Sequence, residues 1–106
     1  MNKQKISCIY LTAQAIHDGK KLHYLVKVGR TNDLQNRLQV YLSHNPFARI
    51  VEIMPTDKDE TKTLEKQAHT IMHTKYLTVP GCAEWFECSK KEYNKIIKNG
   101  FDYILK

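Results

Sequence analysis

Two short apolar runs separated by an Asp-Gly turn constrain this chain more than any other feature. Ile6 to Ala13 and Leu22 to Val28 are rich in strand-compatible residues, and His17-Asp18-Gly19-Lys20 lies between them. An Asp-Gly pair tolerates the positive φ angles of a tight turn, so this spacing predicts an antiparallel hairpin. In its second strand His23, Leu25 and Lys27 share one face by alternation, and Tyr24, Val26 and Val28 the other. Gly29 is expected to end that strand.

Helical periodicity follows. Thr31 or Asn32 can cap a helix, with Asp33 in the first turn, where the helix dipole favours a negative charge. Leu34, Leu38, Tyr41 and Leu42 have the i, i+4, i+7, i+8 spacing of one buried stripe. Arg37 lies at the edge of that stripe, and Asn45-Pro46 closes the helix. A third strand is expected over Ala48 to Met54. A second helix is expected over about Asp59 to Lys75, with Leu64, Ala68, Ile71 and Met72 as its apolar arc. Glu65, His69 and Tyr76 fall along one border of that arc. After the turn Val79-Pro80-Gly81, Glu84 to Cys88 reads as a short extended piece. Ser89 then caps a last helix, Lys90 to Lys98, which Asn99-Gly100 ends. Phe101 to Leu105 is a candidate edge strand. The order β-β-α-β-α with a C-terminal helix predicts an α+β fold, a small antiparallel sheet flanked by helices.

Size and charge narrow the function. The 106 residues suit one domain spanning 1–106. Seventeen Lys+Arg against eleven Asp+Glu leave a charge of +6. That excess favours a polyanionic partner, because each neutralised phosphate releases a condensed counterion. No apolar run approaches bilayer length, so no membrane span is expected. Met1 to Lys5 lead into a strand-like run, so no signal peptide is expected either. Cys8, Cys82 and Cys88 are an odd set without framework spacing, which suits reduced thiols in a cytoplasmic protein.

Five pieces then fall in one order: Cys8-Ile9-Tyr10, Lys27-Val28-Gly29, Arg37, Glu65 and Glu84-Trp85-Phe86. This series resembles the GIY-YIG nuclease superfamily over roughly Ile6 to Phe86. The second triplet continues as Lys27-Val28-Gly29-Arg30-Thr31, similar to a phage- and bacterium-associated branch that also carries a histidine where His69 stands. Cys8 replaces the first glycine and Lys27 the first tyrosine of the second triplet. Residues 11 to 26 make the segment between the triplets longer than usual, so the hairpin should protrude further. An arginine before the Glu-Trp-Phe ending is missing, with Lys75 nearby as a substitute. The resemblance implies a metal-dependent endonuclease acting on DNA, with Tyr10, Lys27, Arg37 and Glu65 as its catalytic set. The alternative is a nucleic-acid-binding module that kept the fold and lost turnover. Targeting would come from a partner protein or a homodimer.

The residues make that chemistry coherent. Phosphodiester hydrolysis needs an activated water, charge relief on the phosphate and help for the leaving oxygen. A metal on Glu65 can polarise both oxygens. Mg²⁺ (or Mn²⁺) suits a site of one carboxylate and several waters. Arg37 can fork onto the phosphate with its planar donors. Lys27 can act as base once desolvation or neighbouring positive charge makes it give up its proton. Tyr10 can donate to the water or the phosphate, or act as base itself; the preferred split is Lys27 as base and Tyr10 as support. Arg30, Tyr41, His44 and His69 are candidate substrate-binding residues, and His69 can also hydrogen-bond Glu65.

Each residue also has an ordinary role. Tyr10 suits strand packing, Lys27 the solvent face of an edge strand, Arg37 cover for apolar neighbours, and Glu65 plain helix formation. Only the ordered set carries the reading. His69 and His73 with Cys82 and Cys88 form a weaker zinc alternative, since i, i+4 histidines share a helix face. Trp85-Phe86 can stack a base, but a core anchor is the favoured role.

Overall fold

The computed structural model describes residues 5–44, 48–80 and 82–105. The Asp-Gly turn forms as the sequence predicts. Asp18 Oδ1 accepts from the backbone N–H groups of Lys20 (2.8 Å) and Lys21 (2.9 Å), and Gly19 takes a φ of +93°. It joins β1 (Cys8–His17) to β2 (Leu22–Thr31), paired antiparallel from Cys8↔Thr31 to His17↔Leu22. The ribbon outruns the core: Ala15 to Leu22 are exposed. Both strands are longer than their apolar runs. Gly29 does not end β2, which continues to Thr31 because β1 goes on pairing with it.

Asp33, rather than Thr31 or Asn32, caps α1 (Leu34–His44). Its Oδ1 accepts from the Asn36 N–H at 3.3 Å, while Thr31 Oγ1 accepts from the Asp33 N–H at 3.0 Å. The expected stop at Asn45-Pro46 lies outside the described residues. Next come β3 (Arg49–Pro55) and α2 (Thr61–Lys75). Tyr76 leaves the Glu65–His69 border: it is the extended C-cap of α2, buried, and its hydroxyl donates to Glu92 at 3.2 Å. β4 (Leu77–Val79) is a short strand that the sequence reading lacked, and β5 (Cys82–Cys88) contains the expected extended piece. The five antiparallel strands run in the order β3-β1-β2-β5-β4.

Ser89 caps α3 (Lys90–Asn99), accepting from the Glu92 N–H at 3.2 Å, and Gly100 closes it with a φ of +61°. Phe101 to Leu105 is not an edge strand. Phe101–Ile104 form a short helix, α4, because the Glu52 carboxylate accepts the Phe101 N–H at 2.8 Å and Gly100 C=O accepts from Tyr103.

The sheet has two unlike faces. Ile9, Leu11, Val26 and Val28 point to the core, where Ala68 and Met72 of α2, Phe86 of β5, Ile96 of α3 and Phe101 close over them. Burying one such large side chain stabilises the fold by roughly 1.5–3 kcal/mol. The other face carries Tyr10, Thr12, Lys27 and Gly29, set opposite one another by the register Tyr10↔Gly29 and Thr12↔Lys27. Tyr41 of α1 lies against it.

Candidate active site

The register positions the first two functional side chains. Gly29 has no side chain, so the Tyr10 ring lies directly over it; a Cβ there would come within 2.7 Å of Tyr10 Cε2 and closer still to Cζ and Oη. Tyr10 is 6% exposed, and Tyr41 meets its ring edge-on at 6.2 Å between centroids. Burial pushes the Tyr10 phenol above its ordinary pKa; Arg37 opposes this, and Tyr41, Glu84 and Glu65 add to it. Tyr10 is therefore a protonated donor near neutral pH. Arg37, Glu65 and Glu84, from three other elements, all lie within electrostatic reach of one phenol.

Lys27 stands beside Tyr41, whose ring abuts Tyr10. Its Nζ pairs with Glu84 Oε2 at 3.1 Å and lies 5.5 Å from the Tyr41 ring centroid and 6.0 Å from that of Trp85. Trp85 thus touches the site, while Phe86 is the buried core anchor. Tyr41 Oη donates to Thr12 Oγ1 at 3.1 Å, and burial raises its pKa as well. Thr12 is fully buried and links Tyr41 to the strand pair.

Glu65 comes from the first half of α2. Arg30, next to Gly29 in sequence, donates from Nε to Glu65 Oε1 at 3.1 Å. The Glu65 side chain is 22% exposed and that of Arg30 42%, so solvent screens the pair in part. His69 does not bond Glu65. Its Nε2 lies 2.7 Å from Val28 O, and since a carbonyl only accepts, the ring carries its proton on Nε2 there. His69 is a tie between α2 and β2. Arg37 is exposed and forms no ion pair among the described residues. His44 is exposed at the end of α1, without a described contact to the other site residues.

Among the described residues no three His, Cys, Asp or Glu side chains gather as a metal cage. The residues of the zinc alternative that are described have other partners. His69 is bound to Val28, His73 stands edge-on to Phe86 at 4.9 Å, and burial pushes the Cys88 thiol up to about 12. The Cys82 side chain lies outside the described residues. One part-exposed carboxylate, Glu65, fits a hard divalent cation that keeps most of its waters, with Arg30 competing for the same oxygen.

Sequence reading missed two contributors. Thr12 was within reach, because it shares the face of Tyr10 two residues on. Glu84 carries no local signal for its role, because its pairing with Lys27 is a tertiary contact.

The chain belongs to the T5orf172 domain family, whose sequence pattern matches residues 7–100. That family is a nuclease-like module, and membership is consistent with a nuclease or nucleic-acid-binding role. No curated protein and no solved structure matches the chain. No helix among the described residues is long and apolar enough to cross a membrane.

Proposed function

We propose that this chain is a metal-dependent endonuclease of the GIY-YIG type that hydrolyses phosphodiester bonds in DNA. One juxtaposition supports the reading most. The Tyr10 phenol, protonated and lying over Gly29, has Arg37, Glu65 and Glu84 within electrostatic reach, and Lys27 stands between Glu84 and Tyr41.

A bound Mg²⁺ or Mn²⁺ would supply charge relief on the scissile phosphate and the leaving oxygen. Glu65 is the residue to hold it. Arg37, exposed and uncommitted to an ion pair among the described residues, is free to turn onto a phosphate arriving over Tyr10. Tyr10 then donates a hydrogen bond, since its raised pKa keeps its proton. Lys27 accepts the proton of the attacking water only after it has left Glu84 and given up its own ammonium proton to solvent, so opening of that ion pair precedes chemistry. With Glu65 holding a cation, Arg30 would be free to contact the phosphate. Tyr41 supports Tyr10 from its bond to Thr12, and His69 braces α2 rather than touching substrate. One site cuts one strand, so a double-strand break requires a second copy or a second encounter.

A second reading has its own observation. Lys27–Glu84 and Arg30–Glu65 neutralise the base and the carboxylate inside the protein, which suits a module that binds nucleic acid without turnover. Binding and cleavage of labelled DNA by Lys27→Met and Glu65→Ala separate the two. The nuclease reading expects retained binding and lost metal-dependent cleavage. Binding without cleavage by the unsubstituted chain, folded and with metal present, selects the second.

A further inference from the structure

The sheet ends away from Tyr10 in a groove of about 710 Å³, where β2 begins, β4 begins and β5 gives way to α3. Lys21, Lys75 and Lys90 stand along it, and none of them forms an ion pair among the described residues. The groove also contains Glu87 and Glu92, but both are engaged. Glu87 Oε2 lies 2.8 Å from His23 Nδ1, and Glu92 accepts from the hydroxyls of Tyr76 and Tyr103. Three lysines against two hydrogen-bonded carboxylates leave the groove with an excess of positive charge, and Lys75 Nζ lies 5.7 Å from the Tyr103 ring centroid.

Its walls are not only basic. Leu77 is 79% exposed and Leu22 43% exposed, and Tyr24, half-buried, is braced by Tyr93 at 5.0 Å between ring centroids. Lysines beside exposed apolar and aromatic surface match a single-stranded nucleic acid, whose phosphates seek cations while its unstacked bases seek apolar faces. A duplex keeps those base faces in its own stack.

We propose that this groove is a binding site for a single-stranded segment of nucleic acid. The inference rests on the nucleic-acid reading of the chain. It is tested by fluorescence anisotropy of labelled oligothymidine, in chelator so that nothing is cut, across a salt series. The variants are the triple Lys21→Ala/Lys75→Ala/Lys90→Ala and the single Leu77→Ala, all at exposed positions. The triple variant is expected to bind at least about tenfold more weakly. Its log K against log salt slope should shrink by about 2, the value for three lost contacts to a single strand. Leu77→Ala should weaken binding while leaving that slope unchanged. Equal affinity and equal slope in the triple variant overturn the groove and leave the nucleic-acid reading intact. Equal losses on duplex and single strand overturn the single-strand assignment. Absence of binding by the unsubstituted chain overturns the nucleic-acid reading and the groove with it.

Discussion

The Tyr10 ring occupies the space where a side chain at Gly29 would stand. Register makes the two residues partners, and Tyr41 holds the ring in place from the side. A glycine is thus required at position 29 by contact, not by backbone conformation, since among the described residues only Gly19 and Gly100 have positive φ. Gly29→Ala should expel the Tyr10 ring from its buried seat. The expected cost is about 1–3 kcal/mol of stability, as for other overpacked cores, read from the urea midpoint, together with loss of cleavage. A variant as stable as the parent, with full activity, would show that the ring moves aside freely.

Tyr10→Phe keeps the ring and removes only the hydroxyl. The fold should survive, and single-turnover cleavage should fall by about 10²-fold or more, the scale of a lost acid–base or donor group. Unchanged cleavage would confine Tyr10 to packing.

Arg30→Ala frees the Glu65 carboxylate. Divalent-cation affinity, measured by calorimetry without DNA, should tighten by up to about fivefold, matching the ~1 kcal/mol ceiling of a part-exposed pair. DNA affinity should fall in the same variant, because the guanidinium is lost as a phosphate contact. Metal affinity that weakens on losing Arg30 would contradict the exchange.

The hairpin tip carries a pH-dependent tie. His23 lies between Asp18 (2.7 Å from Nε2) and Glu87 (2.8 Å from Nδ1), and its hydrogen bonds to these two raise its pKa. Backbone donation from Lys21, then the bond to His23, hold Asp18 well below the usual carboxylate range. The His23 contribution is complete below about pH 6.5, its unfolded value, and is lost as pH rises through the higher folded value. The Asp18 contribution is complete above about pH 4 and is lost as pH falls towards its depressed folded value. Stability from this tie is therefore greatest between about pH 4 and 6.5. Urea midpoints of His23→Gln, subtracted from those of the parent at each pH, should show a difference that shrinks as pH rises above about 6.5. A constant difference would dissociate His23 from the pH dependence.

Local chemistry made much of the fold legible, and tertiary chemistry hid the rest. Asp18-Gly19 and the alternation of Leu22 to Val28 announce the hairpin, and Ser89 and Gly100 mark the ends of α3. The hairpin's outer half was underread because Ala15 to His17 bury nothing; cross-strand pairing alone keeps them extended. Phe101 to Leu105 looked like a strand by its apolar residues, yet Glu52, 49 positions earlier, supplies the acceptor that starts a helical turn. The site shows the same division. Tyr10, Lys27, Arg37 and Glu65 were readable as an ordered set. Their partners were not, because Arg30 reaches Glu65 across 35 positions and Glu84 reaches Lys27 only once β5 has joined the sheet. The bond that His69 makes is unreadable for the same reason, as its partner is a backbone carbonyl of β2.

The central claim is metal-dependent phosphodiester hydrolysis at Glu65, and nicking of supercoiled plasmid measures it most directly. The purified chain and Glu65→Ala would be compared with Mg²⁺, Mn²⁺ or chelator, with circular dichroism to confirm that both are folded. Nicking that requires metal and disappears in Glu65→Ala is the expected result. Nicking that persists in Glu65→Ala, or no cleavage by the parent chain with either metal, would contradict it.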